Sequence, residues 1–481
     1  MDSKVFLSNF GWRVLERVGA KAVSLIVSII LARLLEPSIY GTIALITVFI
    51  AILEIFLDGG FGTALIQKKD ADNLDFSTVF YFNIAYSTVL YFLLFLFAPI
   101  IDSFYGNIGI APVIRVMGLS IIIAGVKNIQ HAYVAKNMMF RKFFFSTLGG
   151  TIGSAIVGIY LAYKGFGIWA LAVQHLFANM AGTFILWITV PWRPQRQFSR
   201  LRLKGLFSFG WKLLISKLIY RIYSDIRQLL IGKLYSPADL AFYNQGYKFP
   251  DLINSEINTS MNSVLLPAMA NVQNDRVRIK FMLRRVNQLS QYVMGACVIG
   301  LAACAEPFVT LLFTEKWLPC VPYLQIFCIA FFPGQIGNAN MNVTLALGRS
   351  DIRLRIEIMK TTVNLIVLFI TAFISPFAVA VGLCISFYIC TVICIWPNVK
   401  LIDYSITDQF LDILPNMGVC LVMAACMRSV ILLDIPAFPM LLIQVFLGVT
   451  VYIGLSIMTK SESFYYLYDI IKKFLKRGGN S

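Results

Sequence analysis

Apolar runs long enough to cross a lipid bilayer recur from near residue 20 to residue 459. A spanning helix needs about 20 apolar residues, and in hydrocarbon its backbone must satisfy all of its own hydrogen bonds. Fourteen such segments are read, at approximately 17–36, 39–64, 78–101, 111–134, 144–164, 166–190, 206–235, 238–268, 287–314, 321–347, 355–375, 377–399, 411–433 and 437–459. At about 34 residues per span and connection, no room remains for an extramembrane catalytic domain. Composition agrees, since 58% of residues are hydrophobic and 14% charged, against roughly 25% charged in a soluble domain. A soluble globular enzyme is excluded, and the expectation is an all-α polytopic membrane protein. Asp2 and Glu16 interrupt the opening, and Pro37 ends the first span without a small-residue cleavage site. This opening is not read as a removable signal peptide.

The few charges are lopsided: 41 Lys and Arg against 24 Asp and Glu leave a formal +17. That balance is familiar in nucleic-acid binders, but its placement gives another reading. Short loops rich in Lys and Arg stay cytoplasmic, and here the basic residues fall in every second loop. Lys4, Arg13 and Arg17 precede or open span one; Lys68 and Lys69 follow span two; Lys136, Arg141 and Lys142 follow span four. The same alternation continues through Arg193 to Lys204, Arg276 to Arg285, Arg349 to Arg355 and the tail from Lys472 to Arg477. The intervening loops offer little beyond Arg33, Lys164, Lys233 and Lys316. Both termini are expected to be cytoplasmic, and no nucleic-acid partner is needed. A basic cytoplasmic face also suits anionic membrane lipids. The nine cysteines, Cys297 to Cys426, form no Cys-x-x-Cys pair and read as small apolar filler. His131 and His175 have no ligand cluster around them in sequence, so no metal or other cofactor is expected.

The chain also repeats itself. Asn9-Phe10-Gly11-Trp12 opens span one, and Ser208-Phe209-Gly210-Trp211 opens span seven. Leu31-Ala32-Arg33-Leu34-Leu35-Glu36-Pro37-Ser38 is echoed by Ile231-Gly232-Lys233-Leu234-Tyr235-Ser236-Pro237-Ala238. Each copy is a helix end, a basic residue, and a proline that starts the next helix. Six spans separate the copies, which predicts parallel repeats. The expected division is an N-terminal lobe at 1–190, a basic cytoplasmic linker at 191–205, a C-terminal lobe at 206–400, two appended spans at 401–459 and a basic cytoplasmic tail at 460–481.

Ionisable side chains inside a span are costly unless they face a cavity or a partner. In span one, Arg13, Arg17, Lys21, Ser24 and Ser28 share one helical face; in span seven, Lys217, Arg221, Asp225 and Gln228 form a corresponding stripe with Arg227 nearby. Glu54 and Asp58 lie one turn apart in span two, before the break Gly59-Gly60-Phe61-Gly62. Span eight is polar throughout, with Lys248, Asp251, Asn254, Ser255, Asn258 and Asn262 on about one side. Bland readings stand beside these: Arg13 and Lys21 could snorkel to the interface, and Arg221 with Asp225 could be a structural pair. Lys127 with His131, and Glu357 with Lys360 and Asn364, are weaker candidates for a cavity or its mouth. A mostly basic cavity calls for an anion, and Arg forks suit diphosphate. The polar groups of span eight would suit sugar hydroxyls. There is no ATP-binding loop and no catalytic constellation on the loops.

The run from Leu31 to Ser38 continuing through Ile39-Tyr40-Gly41, followed by Phe56-Leu57-Asp58-Gly59-Gly60-Phe61-Gly62-Thr63-Ala64-Leu65-Ile66-Gln67, resembles the opening of Wzx-type polysaccharide-unit flippases. Phe242-Tyr243-Asn244, Lys248-Phe249-Pro250 and Leu265-Leu266-Pro267 extend the likeness. It implies the multidrug/oligosaccharidyl-lipid/polysaccharide exporter superfamily: two six-helix lobes plus two helices, moving undecaprenyl-diphosphate-linked oligosaccharide across the bacterial inner membrane by alternating access. O-antigen, capsule or exopolysaccharide assembly would be the destination, with a polymerase and glycosyltransferases as partners. Lipid II flippases look similar in the same two stretches; their acidic residue before a small pair falls on Asp58, whereas their basic residue in span eight falls on Gln245, where this sequence departs. The expected contacts to diphosphate or glycan are Arg13, Arg17, Lys217, Arg221, Arg227 and Lys248, with Glu54, Asp58 and Asp225 compensating charge or coupling an ion such as H+ or Na+. A multidrug exporter of the same superfamily and a membrane polysaccharide polymerase or ligase stay open as alternatives.

Overall fold

The computed structural model describes residues 3–106 and 109–478, without the side chains of 3–11, 13–18, 209, 470, 471 and 473–478. The described residues form α-helices with two short 3-10 turns, divided into two compact units, Met1–Ala241 and Phe242–Ser481. The first unit holds α1 (Ser3–Leu34), α2 (Pro37–Asp58), α3 (Phe61–Gln67), α4 (Asn73–Phe104), α5 (Ala111–Lys136), α6 (Phe140–Tyr163), α7 (Ile168–Thr189) and α8 (Arg200–Leu234). Helix α9 (Pro237–Ala270) begins in the first unit and continues into the second. The second unit continues with α10 (Arg276–Ala303), α11 (Ala305–Phe313), α12 (Val321–Phe331), α13 (Gly334–Ala346), α14 (Ser350–Ala372), α15 (Pro376–Leu401), α16 (Ile406–Ser429), α17 (Ala437–Met458) and α18 (Glu462–Gly478).

All fourteen segments read from the sequence fall on helical backbone, but helix alone is not a crossing. Among the described residues nine helices are long and apolar enough to span a membrane, or ten if the bent pair α10–α11 counts as one. This is a multi-pass membrane protein, and its outer face is apolar: Phe92 is 59% exposed, Ile100 60% and Phe446 76%. Helices α8, α9 and α14 are not among these nine, since charged and polar residues interrupt their apolar runs. The 72° bend between α10 and α11 has a local cause. Pro307 has no N–H to give the Ala303 carbonyl, and its ring crowds that oxygen.

In the first unit small residues decide the packing. Ser146, Gly150, Ser154 and Gly158 line one face of α6 against α7, and the Ser146 hydroxyl donates to the Gly182 carbonyl at 2.7 Å. A Cβ on Gly150 would stand 2.8 Å from the Ala178 carbonyl oxygen. Apolar lipid gives helices little reason to associate through hydrophobicity, so close backbone approach and hydrogen bonds do it instead. In the second unit buried amides serve the same end. Asn340 of α13 donates to the Gln409 side-chain oxygen of α16 at 2.8 Å, and Asn398 of α15 donates to the Asn340 side-chain oxygen at 2.7 Å. Seven of the nine cysteines, all free, are buried in this unit, which fits their reading as filler.

The tail at 460–481 was expected only as a basic segment; the structure adds α18. Its first described apolar residues, Phe464 and Leu467, pack onto the cluster formed by α10, α16 and α17.

Candidate functional site

Helix α2 ends because Gly59 and Gly60 take left-handed backbone angles, φ 50° and 74°, which restart the chain as α3. The break is also a landing place. A Cβ on Gly60 would lie 2.5 Å from the Gly210 carbonyl oxygen and 2.7 Å from its Cα, so α8 crosses the break backbone to backbone. The Gly-Gly motif and the Phe-Gly-Trp motif, separate in sequence, are therefore two sides of one contact. The second repeat landmark is also packed closely: a Cβ on Gly41 of α2 would run into the Pro237 carbonyl.

Docked there, α8 lays its charged stripe along α2. The Lys217 ammonium reaches the Asp58 carboxylate at 2.5 Å, both groups remaining partly exposed. One turn on, Arg221 is ion-paired with Asp225, whose other oxygen accepts from the Ser224 hydroxyl at 3.2 Å. Glu54 lies in the field of both Lys127 of α5 and Arg221, and His175 of α7 in the field of Lys127. Lys127, a weaker candidate in sequence, thus joins the centre of the site. Its signal was an ionisable group within an apolar run; the same signal at His175 was passed over. With Lys127, Lys217 and Arg221 facing Glu54, Asp58 and Asp225, the described part of this cluster is balanced in formal charge. Cations held by movable carboxylates are ones an incoming anion can take over, at the cost of breaking an ion pair.

The remaining candidates lie elsewhere. The side chains of Arg13 and Arg17 lie outside the described residues. Arg227 is half-buried on α8, two residues beyond Asp225 and so on another side of that helix. Lys248 belongs to the second unit, half-buried on α9, and Gln245 before it is buried. Further along α9 runs an amide ladder. Asn254 accepts from Gln335 at 3.0 Å, Asn258 from Asn338 at 2.7 Å and Asn262 from Asn342 at 2.6 Å, all through side-chain oxygens. The stripe on span eight was legible; its partners on α13, about 80 residues away, were not.

The turn between α3 and α4 is fixed by charge. Asp72 caps α4 by accepting from the Asp75 N–H at 3.0 Å, Asp75 returns the bond at 3.2 Å, and Arg202 of α8 reaches Asp72 at 2.6 Å. The Asp75 N–H, with Arg202 adding to it, holds the Asp72 carboxyl below its ordinary value. The first turn of α8 is thereby fastened to α4, which helps set the height of Lys217 against Asp58.

The family model described as "Polysaccharide biosynthesis protein" matches residues 30–322. The chain belongs to this family. The match takes in Glu54, Asp58, Lys127, Lys217, Arg221, Asp225 and Lys248. Among curated relatives, the teichuronic acid biosynthesis protein TuaB of Bacillus subtilis is 29% identical over 62% of this chain, which spans 62% of TuaB's length. The lipopolysaccharide biosynthesis protein WzxC of Escherichia coli is 22% identical over 80% of this chain and 78% of its own. The fold of the chain is similar to that of lipid II flippase MurJ in an inward closed conformation. The TM-score is 0.75 at 16% identity, over 95% of this chain and 99% of that one.

Proposed function

We propose that this protein is a flippase that moves undecaprenyl-diphosphate-linked oligosaccharide units from the cytoplasmic to the outer leaflet of the bacterial inner membrane by alternating access. The observation that carries this reading is the α2–α8 crossing, where Lys217 and Arg221 are held by Asp58 and Asp225 inside an apolar bundle. A diphosphate entering there would replace the carboxylates as partner of those cations, and the released carboxylates would be free to bind a coupling H+ or Na+. Arg13 and Arg17 would add to the same anion site, Arg227 would contact substrate from another side of α8, and Lys248 with the amide ladder of α9 would be a separate glycan contact within the second unit. The names of TuaB and WzxC support a polysaccharide precursor as cargo, and the MurJ-like fold suits a lipid-linked one. Binding must favour capture without preventing release, so paired cations suit transport better than bare ones. O-antigen, capsule and exopolysaccharide assembly would use the same step, with polymerase and glycosyltransferases acting before and after it.

The full reading has fourteen crossings, cytoplasmic termini and two parallel six-helix repeats, with lobes at 1–190 and 206–400. It assigns no bond-breaking chemistry to the chain. The test is lipid-linked glycan accumulation in a deletion strain carrying Lys217→Ala, Arg221→Ala or Arg17→Ala. Full polymer assembly at normal protein levels would refute the cation site. Arg221→Lys should be milder if charge alone matters and as severe as Ala if the fork grips diphosphate. The three carboxylates favour one rival, a multidrug exporter of organic cations; drug efflux by a sensitive host expressing this chain would establish it.

A further inference from the structure

Beyond transport, we propose that the turn between α17 and α18 binds a small, water-soluble phosphate monoester through the first turn of α18, Lys460 and the hydroxyls of Ser461 and Ser463. Helix α17 ends on a left-handed residue. Lys460 has φ 50°, its N–H donates to the Ile457 carbonyl at 3.1 Å, and the Ser461 N–H donates to the Ser456 carbonyl at 2.9 Å. This pair of bonds turns the chain sharply, and Glu462 starts the 17-residue α18 at once. The first N–H groups of a helix have no partner within it. Among the described residues those of Glu462, Ser463 and Phe464 meet no acceptor, although Ser461 stands where a serine ordinarily caps.

That helix end opens into a cavity of about 320 Å³ between α10, α16 and the turn. Free N–H groups and the positive end of the helix dipole favour an anion there. A second observation is independent of the helix end. Ser463 lines the cavity and is 5% exposed, yet its hydroxyl has no partner among the described residues. A buried hydroxyl without a bond is costly, and a ligand in the cavity can supply that bond.

The charges around the cavity agree in sign once their pairing is counted. Arg284 holds Asp412 at 2.6 Å, and the Tyr404 hydroxyl donates to the same carboxylate. Glu462 turns outward to Arg285 at 3.3 Å. The exposed Lys460 ammonium is left over, without a carboxylate among the described residues. At roughly 30 Å³ for each water-sized group the cavity holds about ten heavy atoms. That is a phosphate with a skeleton of a few carbons, and a nucleotide would overfill it. Leu411 and Pro415 offer an apolar wall to the carbons, and Gln288 and Asn416 offer amides to hydroxyls. A monoester brings three free oxygens and close to two charges, which suits three N–H groups, two hydroxyls and an ammonium. A phosphodiester has one oxygen and one charge fewer. The same monoester can also be carried by a lipid, as in phosphatidic acid, so the test separates the two sources.

The cavity faces the cytoplasm in the fourteen-span reading, but binding is measured without transport, so failure of the flippase reading leaves this test standing. The experiment is isothermal titration calorimetry of the full chain in detergent with glycerol 3-phosphate. One saturable site is expected, with Kd raised about tenfold in both Lys460→Ala and Ser463→Ala. Glycerol should give no binding heat, and phosphatidic acid added to the micelles should leave the isotherm unchanged. Ser463→Ala removes a single unbonded oxygen, so it decides the matter even if Lys460→Ala fails to fold. No saturation by about 10 mM glycerol 3-phosphate, an unchanged Kd in Ser463→Ala, or displacement by phosphatidic acid would overturn the proposal.

Discussion

Replacing Gly60 by alanine tests the crossing on which the site is built. Two costs add. At φ 74° a Cβ crowds its own backbone, worth about 1–2 kcal/mol. That Cβ also lands 2.5 Å from the Gly210 carbonyl oxygen and 2.9 Å from its carbonyl carbon, backbone atoms that cannot swing away as a side chain would. Overpacking of this kind costs about 1–3 kcal/mol, so the total is about 2–5 kcal/mol. Gly106→Ala supplies the reference, because Gly106 has φ 91° but nothing within 4 Å of its missing Cβ. It should show only the first cost, about 1–2 kcal/mol. Reversible unfolding of both variants in mixed micelles reads the difference, and glycan accumulation reads whether moving α8 off α2 uncouples Lys217 from Asp58. If Gly60→Ala is within about 0.5 kcal/mol of Gly106→Ala, the two helices are not in backbone contact and the reasoning fails.

A double-mutant cycle on Lys217 and Asp58 should give a coupling of only about 0.2–1 kcal/mol in stability, since both groups are partly solvated, while each single alanine abolishes transport; a coupling above about 2 kcal/mol would mark the pair as a structural clamp. Asp72 titrates below its ordinary value in the folded protein. Its contribution is therefore present above the unfolded pKa of about 3.9 and lost as pH falls through the folded value. Asp72→Asn keeps the cap, so it should cost under about 1 kcal/mol and remove part of that acid limb; an unchanged acid limb in unfolding measurements would contradict the Arg202 fastening. The Asp351 carboxyl, gripped by Arg349 through two bonds of 2.9 Å, should titrate at about 2. In Arg349→Ala it should return toward about 3.9 by carbon-detected NMR. Gly150→Leu should loosen α6 from α7 and cost about 1–3 kcal/mol, a loss that unfolding in micelles would register.

What the sequence made legible was local. The interval of four joining Lys217, Arg221 and Asp225 needed only helical geometry, and the Gly59-Gly60 break announced itself after Asp58. What it could not supply was the partner of each feature. Lys217 and Asp58 are 159 residues apart, and nothing in either neighbourhood specifies the other. Glu54 was read with Asp58 because they share a helix, yet the charges facing it stand on α5 and α8. The expectation of a mostly basic cavity weighed Arg13 and Arg17 of span one, whose side chains lie outside the described residues, together with Lys217 and Arg221, while Glu54, Asp58 and Asp225 were already legible as compensating charge. Helix α18 was missed for a different reason. A search for long apolar runs passes over a helix apolar on one side only, although Phe464, Leu467, Ile471 and Leu475 recur at near-helical intervals.

The charged stripe on α8 also bears on how the chain is made. In the fourteen-span reading this segment must leave the translocon carrying Lys217, Arg221 and Asp225 near its middle. On insertion scales three such residues amount to roughly 8–10 kcal/mol against entry. Helix α8 is then a poor candidate for partitioning into lipid alone, and its route in lies through a companion already there. The glycine gap at the end of α2, synthesised some 150 residues earlier, is that companion's receiving surface. Until the ribosome has delivered α8, that gap is unfilled and Asp58 lacks its lysine. Ribosome-stalled chains ending near 205 and near 285 should therefore differ in crosslinking between position 60 and the insertase, because only in the longer nascent chain has α8 left the ribosome and can cover the gap itself.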